Sequence, residues 1–538
     1  MKIRLQTIAF CLASLAFLSA WLPSAEAAES TTSSSSTTAP TYIVNGEKAD
    51  ADPQLPYEDL KKIESYSPWY NRYTDYTGGY MICFPRDMQI DASLSAVRTT
   101  FSNATTQIEV YADKLDGDPQ SGAAYLTDSN KFAENQNDHG ILADSRFALN
   151  GFQVRLLKWT RHRLKTVTED KNNYVSIELV KNNRDAFTVL IKSSEPIVNE
   201  MQILNSFQTV AKKGIAGVYQ HYKPTPKTPV NEETKQFAKK YLADSSPQRW
   251  GMYEANAPEE FGYLTGLEEE LRYSFPVLIR YQTFDETFPV KSLQNAYDHK
   301  KIIELSLQTF HYNDDNSSVL YEILDGRYDD YFNTYAQSVK KFGHPILLRL
   351  DNEMNGRWCP YSSFFFSKDP ELFKLVWRHI HDIFTKNGVN NVLWVWNPND
   401  ESFPKANWNN YLNYYPGDAY VDVVGLTGYN TGTSLPGEKW REFNTIYRPL
   451  YGEYSRLFDQ PLIIGEFASA SAGGNKVAWI QKMFDQIGQY DRIKLAIWWN
   501  YNDYNSSGAI LRNYRMDDSL ALKETFRQGL ELFKSNQN

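Results

Sequence analysis

From Trp250 onward, short apolar runs alternate with stretches in which apolar residues return every three or four positions. The runs read as strands at Trp250 to Glu254, Val277 to Tyr281, Ile302 to Leu307, Pro345 to Leu350, Val392 to Trp396, Val421 to Leu426, Leu462 to Gly465 and Leu495 to Trp499. The intervening stretches read as helices; Leu372, Phe373, Val376, Ile380, Ile383 and Phe384 share one helical face. Eight strands alternating with helices over about 290 residues predict an α/β fold, a parallel (β/α)8 TIM barrel.

Before this region the period is two. Gln107 to Tyr111, Phe152 to Leu157, Val175 to Leu179 and Phe187 to Ile191 place apolar residues at alternate positions, and Asn182-Asn183-Arg184-Asp185 reads as the hairpin turn between the last two. A smaller, largely β accessory domain is therefore expected over residues 41–222. Lys223 to Val230, with Pro224, Pro226 and Pro229, reads as the linker into a catalytic-type domain at 223–538, and a chain beginning near Lys223 is expected to fold alone. The accessory domain shows no cluster of catalytic residues. It either binds carbohydrate or serves to pack and solubilise.

The first residues follow neither pattern. Lys2 and Arg4 precede an apolar core from Ile8 to Leu22, and Ala25-Glu26-Ala27 fits a cleavage site, so residues 1–27 read as a secretory signal peptide and the protein is expected to be secreted or held in the cell envelope. A Ser/Thr-rich linker over 28–40 follows as a flexible tether. No later stretch is apolar enough to span a membrane. Cys11 lies in the signal; Cys83 and Cys359 make no disulfide framework and either pair or remain buried thiols.

A net charge of −9 without basic patches argues against nucleic acid as partner. Aromatic residues make up 14% of the chain, Trp thirteen times, which suits stacking against sugar rings as well as core packing. Gly-x-Ser-x-Gly, His-Glu-x-x-His, Cys-x-x-Cys and phosphate-binding loop motifs are absent from the sequence, so no metal or nucleotide cofactor is expected.

Candidate chemistry sits at two strand ends. The run Ile346-Leu347-Leu348-Arg349-Leu350 breaks into Asp351-Asn352-Glu353-Met354-Asn355-Gly356, and Leu462-Ile463-Ile464-Gly465 delivers Glu466. In parallel barrels catalytic groups lie where strands give way to loops, so Glu353 after strand four and Glu466 after strand seven are the candidate catalytic pair. Arg349 lies on the same strand face leading to Glu353. It either orients carboxylates from inside the barrel or forms a buried structural ion pair.

Several motifs from Trp250 to Asn500 together resemble glycoside hydrolase family 26, the mannanase-type branch of the clan A barrel hydrolases. They are Gly326-Arg327-Tyr328-Asp329, Arg349 through Trp358, Trp377-Arg378-His379-Ile380, Asn391 through Asn399, Tyr415-Pro416-Gly417-Asp418, Val421 through Leu426 with Tyr429, and Ile464-Gly465-Glu466. The resemblance implies a retaining mechanism, with Glu353 as acid/base and Glu466 as nucleophile about 5 Å apart. It further implies that Tyr429 donates to the nucleophile, that Asn352 meets a sugar hydroxyl, and that Trp358 and Trp498, joined by Tyr253, form the aromatic floor of the cleft. Asn352 departs from the family, whose mannanases usually carry His there, so mannose preference does not follow.

The expected activity is that of a secreted retaining endo-β-glycoside hydrolase acting on a mannan-type or β-glucan polysaccharide. The competing reading is a non-hydrolytic polysaccharide-binding or matrix-assembly protein that uses the barrel cleft. A polysaccharide is the only partner either reading requires, and a monomer is the expectation.

Overall fold

The alternation read between Gln107 and Ile191 forms the middle of a seven-stranded antiparallel sheet in the computed structural model, which describes residues 40–44, 47–49, 60–284, 286–312 and 319–534. The expected signal peptide and nearly all of the Ser/Thr-rich linker lie outside the described residues. The sheet's central strands are Thr106–Lys114, Asp185–Ser193, Asn173–Val180 and Phe152–Thr160. At the Asn182 hairpin, Asn182 Oδ1 accepts from the backbone N–H groups of Arg184 and Asp185, as turn chemistry requires.

Both faces of this sheet are buried, for different reasons. Residues such as Val110, Val154, Ile177 and Val189 face a second, six-stranded sheet and share a core with its Tyr73, Ile82 and Phe84. The alternate set, Tyr111, Leu157, Trp159, Tyr174 and Leu190, clusters with Ala406 and Trp408 of the barrel region. Trp159 and Tyr174 stack in this layer with ring centroids 5.1 Å apart.

Residues 249–499 close into the expected eight-stranded parallel barrel, with strands Arg249–Tyr253, Val277–Gln282, Ile302–Leu307, Ile346–Leu350, Val392–Trp396, Val423–Thr427, Leu462–Phe467 and Ile493–Trp499. Inward residues Ile279, Leu347, Val395, Ile463 and Ile497 fill the interior. Phe237 and Leu242 join them from the helix Glu232–Tyr241, whose N-cap Asn231 accepts from the Thr234 N–H. This apolar plug sits among the residues at the starts of the strands. The polar ends of strands four and seven lie at the opposite rim.

The described residues from Pro40 onward form one compact unit. The β region packs against the barrel through a layer that is apolar and ionic at once. Lys368 Nζ lies 2.5 Å from Glu178 Oε1, and Lys192 Nζ bridges Asp369 at 2.9 Å and Glu109 at 3.0 Å. Trp159 Nε1 donates to Ser367 Oγ and Tyr174 Oη to Asp369 Oδ2. The proline-containing stretch does not hang free either: Lys227 Nζ donates to Asp382 Oδ1 and Tyr420 Oη, both at 2.7 Å. Trp408, Lys368 and Asp369 of the barrel region thus have their buried partners in the β region.

Cys83 and Cys359 are buried and free. Among the described residues no helix is long and apolar enough to cross a membrane.

Removing one partner of a buried ion pair costs about 3–5 kcal/mol, whereas replacing both by apolar residues is far milder. Lys368→Met, which strands the Glu178 carboxylate in the layer, is expected to lower unfolding free energy by that amount; Lys368→Met combined with Glu178→Leu should recover most of it. Denaturant unfolding of the two variants checks this, and equal losses would show that the pair does not set the layer's stability.

Candidate functional site

Strand four alternates strictly. Leu347 and Arg349 point into the barrel, while Ile346, Leu348 and Leu350 pack outward against helices. Past Leu350 the chain turns sharply: Asp351 and Glu353 both adopt positive φ, 46° and 56°, which costs a non-glycine residue about 1–3 kcal/mol. Surrounding contacts hold them there. The Asp351 carboxylate accepts from Thr309 N–H at 2.7 Å and Thr309 Oγ1 at 2.8 Å, the Glu353 N–H donates to Asn397 O at 2.8 Å, and Tyr361 Oη donates to Asn352 O at 2.6 Å.

Strand seven does not alternate, and the exception creates the site. Leu426 pairs with Ile464 but Thr427 pairs with Glu466, so Gly465 is skipped and a bulge follows. Ile464 and Phe467 both pack outward, and Glu466 between them is turned inward to Arg349. Only glycine fits before it. A Cβ on Gly465 would stand 2.1 Å from Asn397 Oδ1 and 3.4 Å from an Arg349 nitrogen.

Glu353 and Glu466 thereby line one cleft of about 900 Å³, with Trp358, Asn399, Tyr429 and Trp499 among its walls. Their surroundings differ. Glu353 Oε1 accepts from Asn399 Nδ2 at 2.5 Å and Oε2 from Trp358 Nε1 at 3.2 Å, but burial first and then the Glu466 charge push its pKa up to about 7. Glu466, only 6% exposed, receives three donors: Arg349 Nη2 at 3.0 Å, Tyr281 Oη and Tyr429 Oη. Burial raises both tyrosine hydroxyls well above their ordinary range, with the Glu466 charge adding to it, so each keeps its proton and stays a donor.

Arg349 is fully buried. Besides Glu466 it reaches Glu304 at 3.1 Å, Ser306 Oγ at 2.7 Å and Tyr281 Oη at 2.7 Å. The two readings left open by the sequence are therefore both present, since one guanidinium orients Glu466 and pairs with a structural carboxylate. It does not face the cleft as a substrate-binding group.

Other expected binding residues divide. Trp358, half exposed, and Tyr429 stand in the cleft wall. Tyr253 stacks on Trp499 with centroids 3.8 Å apart and stands behind it. Trp498 is not a cleft residue: it is fully buried outside the strand against Phe467, Trp479 and Phe526. Strand eight puts Leu495 and Ile497 inside, so period two turns Trp499 to the cleft and Trp498 to the helices. Asn352 is also buried, its Oδ1 accepting from Gln308 Nε2 at 3.2 Å, and does not reach the cleft.

Sequence reading missed Tyr281 and Trp499 as site residues and gave no role to Asn399. The signal was available for the first two. Val277, Ile279 and Tyr281 form an inward alternation ending at the rim, as do Leu495, Ile497 and Trp499. Asn399 has no such signature, because it lies beyond strand five in a loop whose path follows from tertiary contacts.

Residues 297–472 match the model of Glycosyl hydrolase family 26, the family that the sequence motifs resemble. Endoglucanase H of Acetivibrio thermocellus is 35% identical over 229 residues, which make up 41% of this chain and 24% of that protein. A mannan endo-1,4-beta-mannosidase of Bacillus subtilis is 34% identical over 118 residues, 21% of this chain and 28% of its own. The chain thus spans well under two thirds of either relative. Among solved structures, the catalytic domain of the Bacillus sp. JAMB-750 GH26 endo-beta-1,4-mannanase aligns at TM-score 0.44 and 18% identity over 58% of this chain and 93% of that one.

The charge of Glu466 helps to keep the proton on Glu353. Neutralising it should therefore release that proton more easily, and Glu466→Gln is expected to lower the Glu353 pKa from about 7 toward the ordinary carboxylate value. Carboxyl carbon NMR of the labelled variant measures it. An unchanged or higher titration point would show that burial alone sets the shift.

Proposed function

We propose that this chain is a secreted, retaining endo-β-glycoside hydrolase acting on a β-linked polysaccharide of the mannan or β-glucan type. The observation that carries the reading is the asymmetry of two carboxylates in one cleft, one held protonated near neutrality and the other surrounded by donors. The family 26 match over residues 297–472 supports the same reaction class, and the names of the relatives supply the two polymers. Secretion rests on the sequence of residues 1–27.

In this mechanism Glu353 gives its proton to the glycosidic oxygen while Glu466 attacks the anomeric carbon. The carbon–oxygen bond breaks, the leaving sugar departs as an alcohol, and a glycosyl ester forms on Glu466. Glu353, now a carboxylate, takes a proton from water as that water attacks the same carbon, and Glu466 is expelled. Two displacements at one carbon retain configuration. Arg349 and Tyr281 stabilise the carboxylate charge when it returns, because both donate to Oε2. Tyr429 does the same at Oε1. Trp358 and Trp499 offer flat apolar faces to the sugar rings.

Glu353→Gln keeps the shape and removes the acid. Activity on natural polysaccharide is expected to fall by about 10²–10⁴, with a much smaller loss on aryl glycosides whose leaving groups need little protonation. Equal losses on both substrates would remove Glu353 from the acid's role.

Glu466→Ala should be nearly inactive, and azide should restore turnover by attacking from the vacated side to give a glycosyl azide of inverted configuration. With the unaltered protein on a mannan and β-glucan panel, NMR before mutarotation should show a first product with the substrate's own anomeric configuration. An inverted first product would overturn the two-step mechanism.

A further inference from the structure

A second pocket, of about 330 Å³, opens between the β region and the barrel. The β region supplies Lys114, Ser121 and Tyr125; the barrel loops supply Arg357, Phe403 and Lys405. Those three barrel residues also line the cleft that holds Glu353 and Glu466, so the two spaces adjoin along a shared wall. The walls are fixed together. Asn407 N–H donates to Asp113 Oδ1 at 2.6 Å, Asn407 Nδ2 donates to Ala112 O at 2.8 Å, and Tyr125 Oη is shared between Asp113 and Thr188 in the sheet.

The direction of the connection has chemical content. Trp358 Nε1 donates to Glu353, and the Trp358 ring packs on Phe403 with centroids 5.5 Å apart. A line of aromatic faces therefore leads from Glu353 to the pocket. Trp499, Tyr253 and Tyr281 gather instead on the side of Glu466. Because the acid protonates the leaving oxygen, the departing part of the polymer lies on the acid's side. The pocket's mixture of aromatic bodies, hydroxyls and both signs of charge suits an uncharged polyhydroxy chain, which presents apolar ring faces and polar rims.

We propose that the leaving-group end of the polysaccharide runs along Trp358 and Phe403 into the groove between barrel and β region, so that the β region forms part of the substrate-binding surface. This inference rests on the hydrolase reading. It assigns to the β region distal sugar-binding positions, occupied by long chains and left empty by short ones.

Ala124 is exposed on the helix Ser121–Asp128 and lines the pocket, so Ala124→Trp fills the groove from the β side. The measurement is kcat/KM for an oligosaccharide series and for a short aryl glycoside, together with oligosaccharide affinity by calorimetry. The ratio of kcat/KM on the longest chain to that on the aryl glycoside is expected to fall about tenfold, since binding energy from remote sugars is what long chains contribute. Lys114→Ala, a truncation at the exposed pocket wall, should lower the same ratio by a smaller factor and guards against misfolding of the larger variant. A ratio unchanged in both variants, or equal losses on long and short substrates, would overturn the proposal. If the unaltered protein hydrolyses none of the panel yet binds long chains with an affinity that Ala124→Trp abolishes, the hydrolase reading fails and the groove stands. Neither hydrolysis nor binding would remove both.

Discussion

A guanidinium sealed inside the barrel governs the site. Arg349 has no access to water, and a buried charge is tolerated only where opposite charges and hydrogen bonds replace its hydration. The carboxyl groups of Glu466 and Glu304 lie 3.0 and 3.1 Å from it, and Ser306 and Asn397 provide further oxygens. Because the cation must be satisfied, Glu466 is drawn inward where strict alternation would have turned it to the helices, and the Gly465 bulge makes the turn possible. Asn397 joins this arrangement to the opposite carboxylate: its Oδ1 faces Arg349, while its backbone oxygen receives the Glu353 N–H. One asparagine thus sets the two strand ends relative to each other.

Burial pushes several carboxyl groups around the site in the same direction. Glu304 and Glu353 are both pushed up to about 7, chiefly by desolvation, with the Glu466 charge adding to each. Asp351 is also pushed up to about 7, by burial, against two hydrogen bonds from Thr309. A carboxyl group whose pKa is raised on folding leaves stability intact below its unfolded pKa and costs stability progressively as pH rises from there through its folded pKa. As pH rises from the ordinary carboxylate range toward 7, the unfolded chain binds fewer protons than the folded one and these three groups weaken the fold. Glu466 in the same cleft has a different setting, with three donors on its carboxylate where Glu353 has two.

The barrel was legible because its strands are short, apolar and separated by helical periodicity; strand boundaries differ from expectation by one or two residues. That Glu353 and Glu466 meet in one cleft was legible because both end apolar strands of a parallel barrel. What sequence reading lost was orientation. Choosing Trp498 over Trp499 is a one-position error, and in a strand that is the difference between the helix layer and the cleft. Asn352 misled in a similar way, since adjacency to Glu353 suggested the cleft, whereas the positive φ values at Asp351 and Glu353 turn successive side chains to unrelated directions. The buried layer between sheet and barrel was illegible for a further reason: Glu178 and Lys368 are 190 positions apart, and nothing local marks either as a partner.

That layer bears on the chemistry through the loop that carries Glu353. The loop leaves strand four through strained conformations at Asp351 and Glu353 and ends through two more at Ser367 and Lys368, with φ of 54° each. Strain of this kind persists only where surroundings over-determine it. At its start the barrel supplies the restraint, through Thr309 and Asn397. At its end the β region supplies it, since Ser367 accepts from Trp159, Lys368 donates to Glu178, and Asp369 is held by Lys192 and Tyr174 while capping the helix Pro370–Lys386. The loop that carries Glu353 is thus held by the barrel at its start and by the β region at its end.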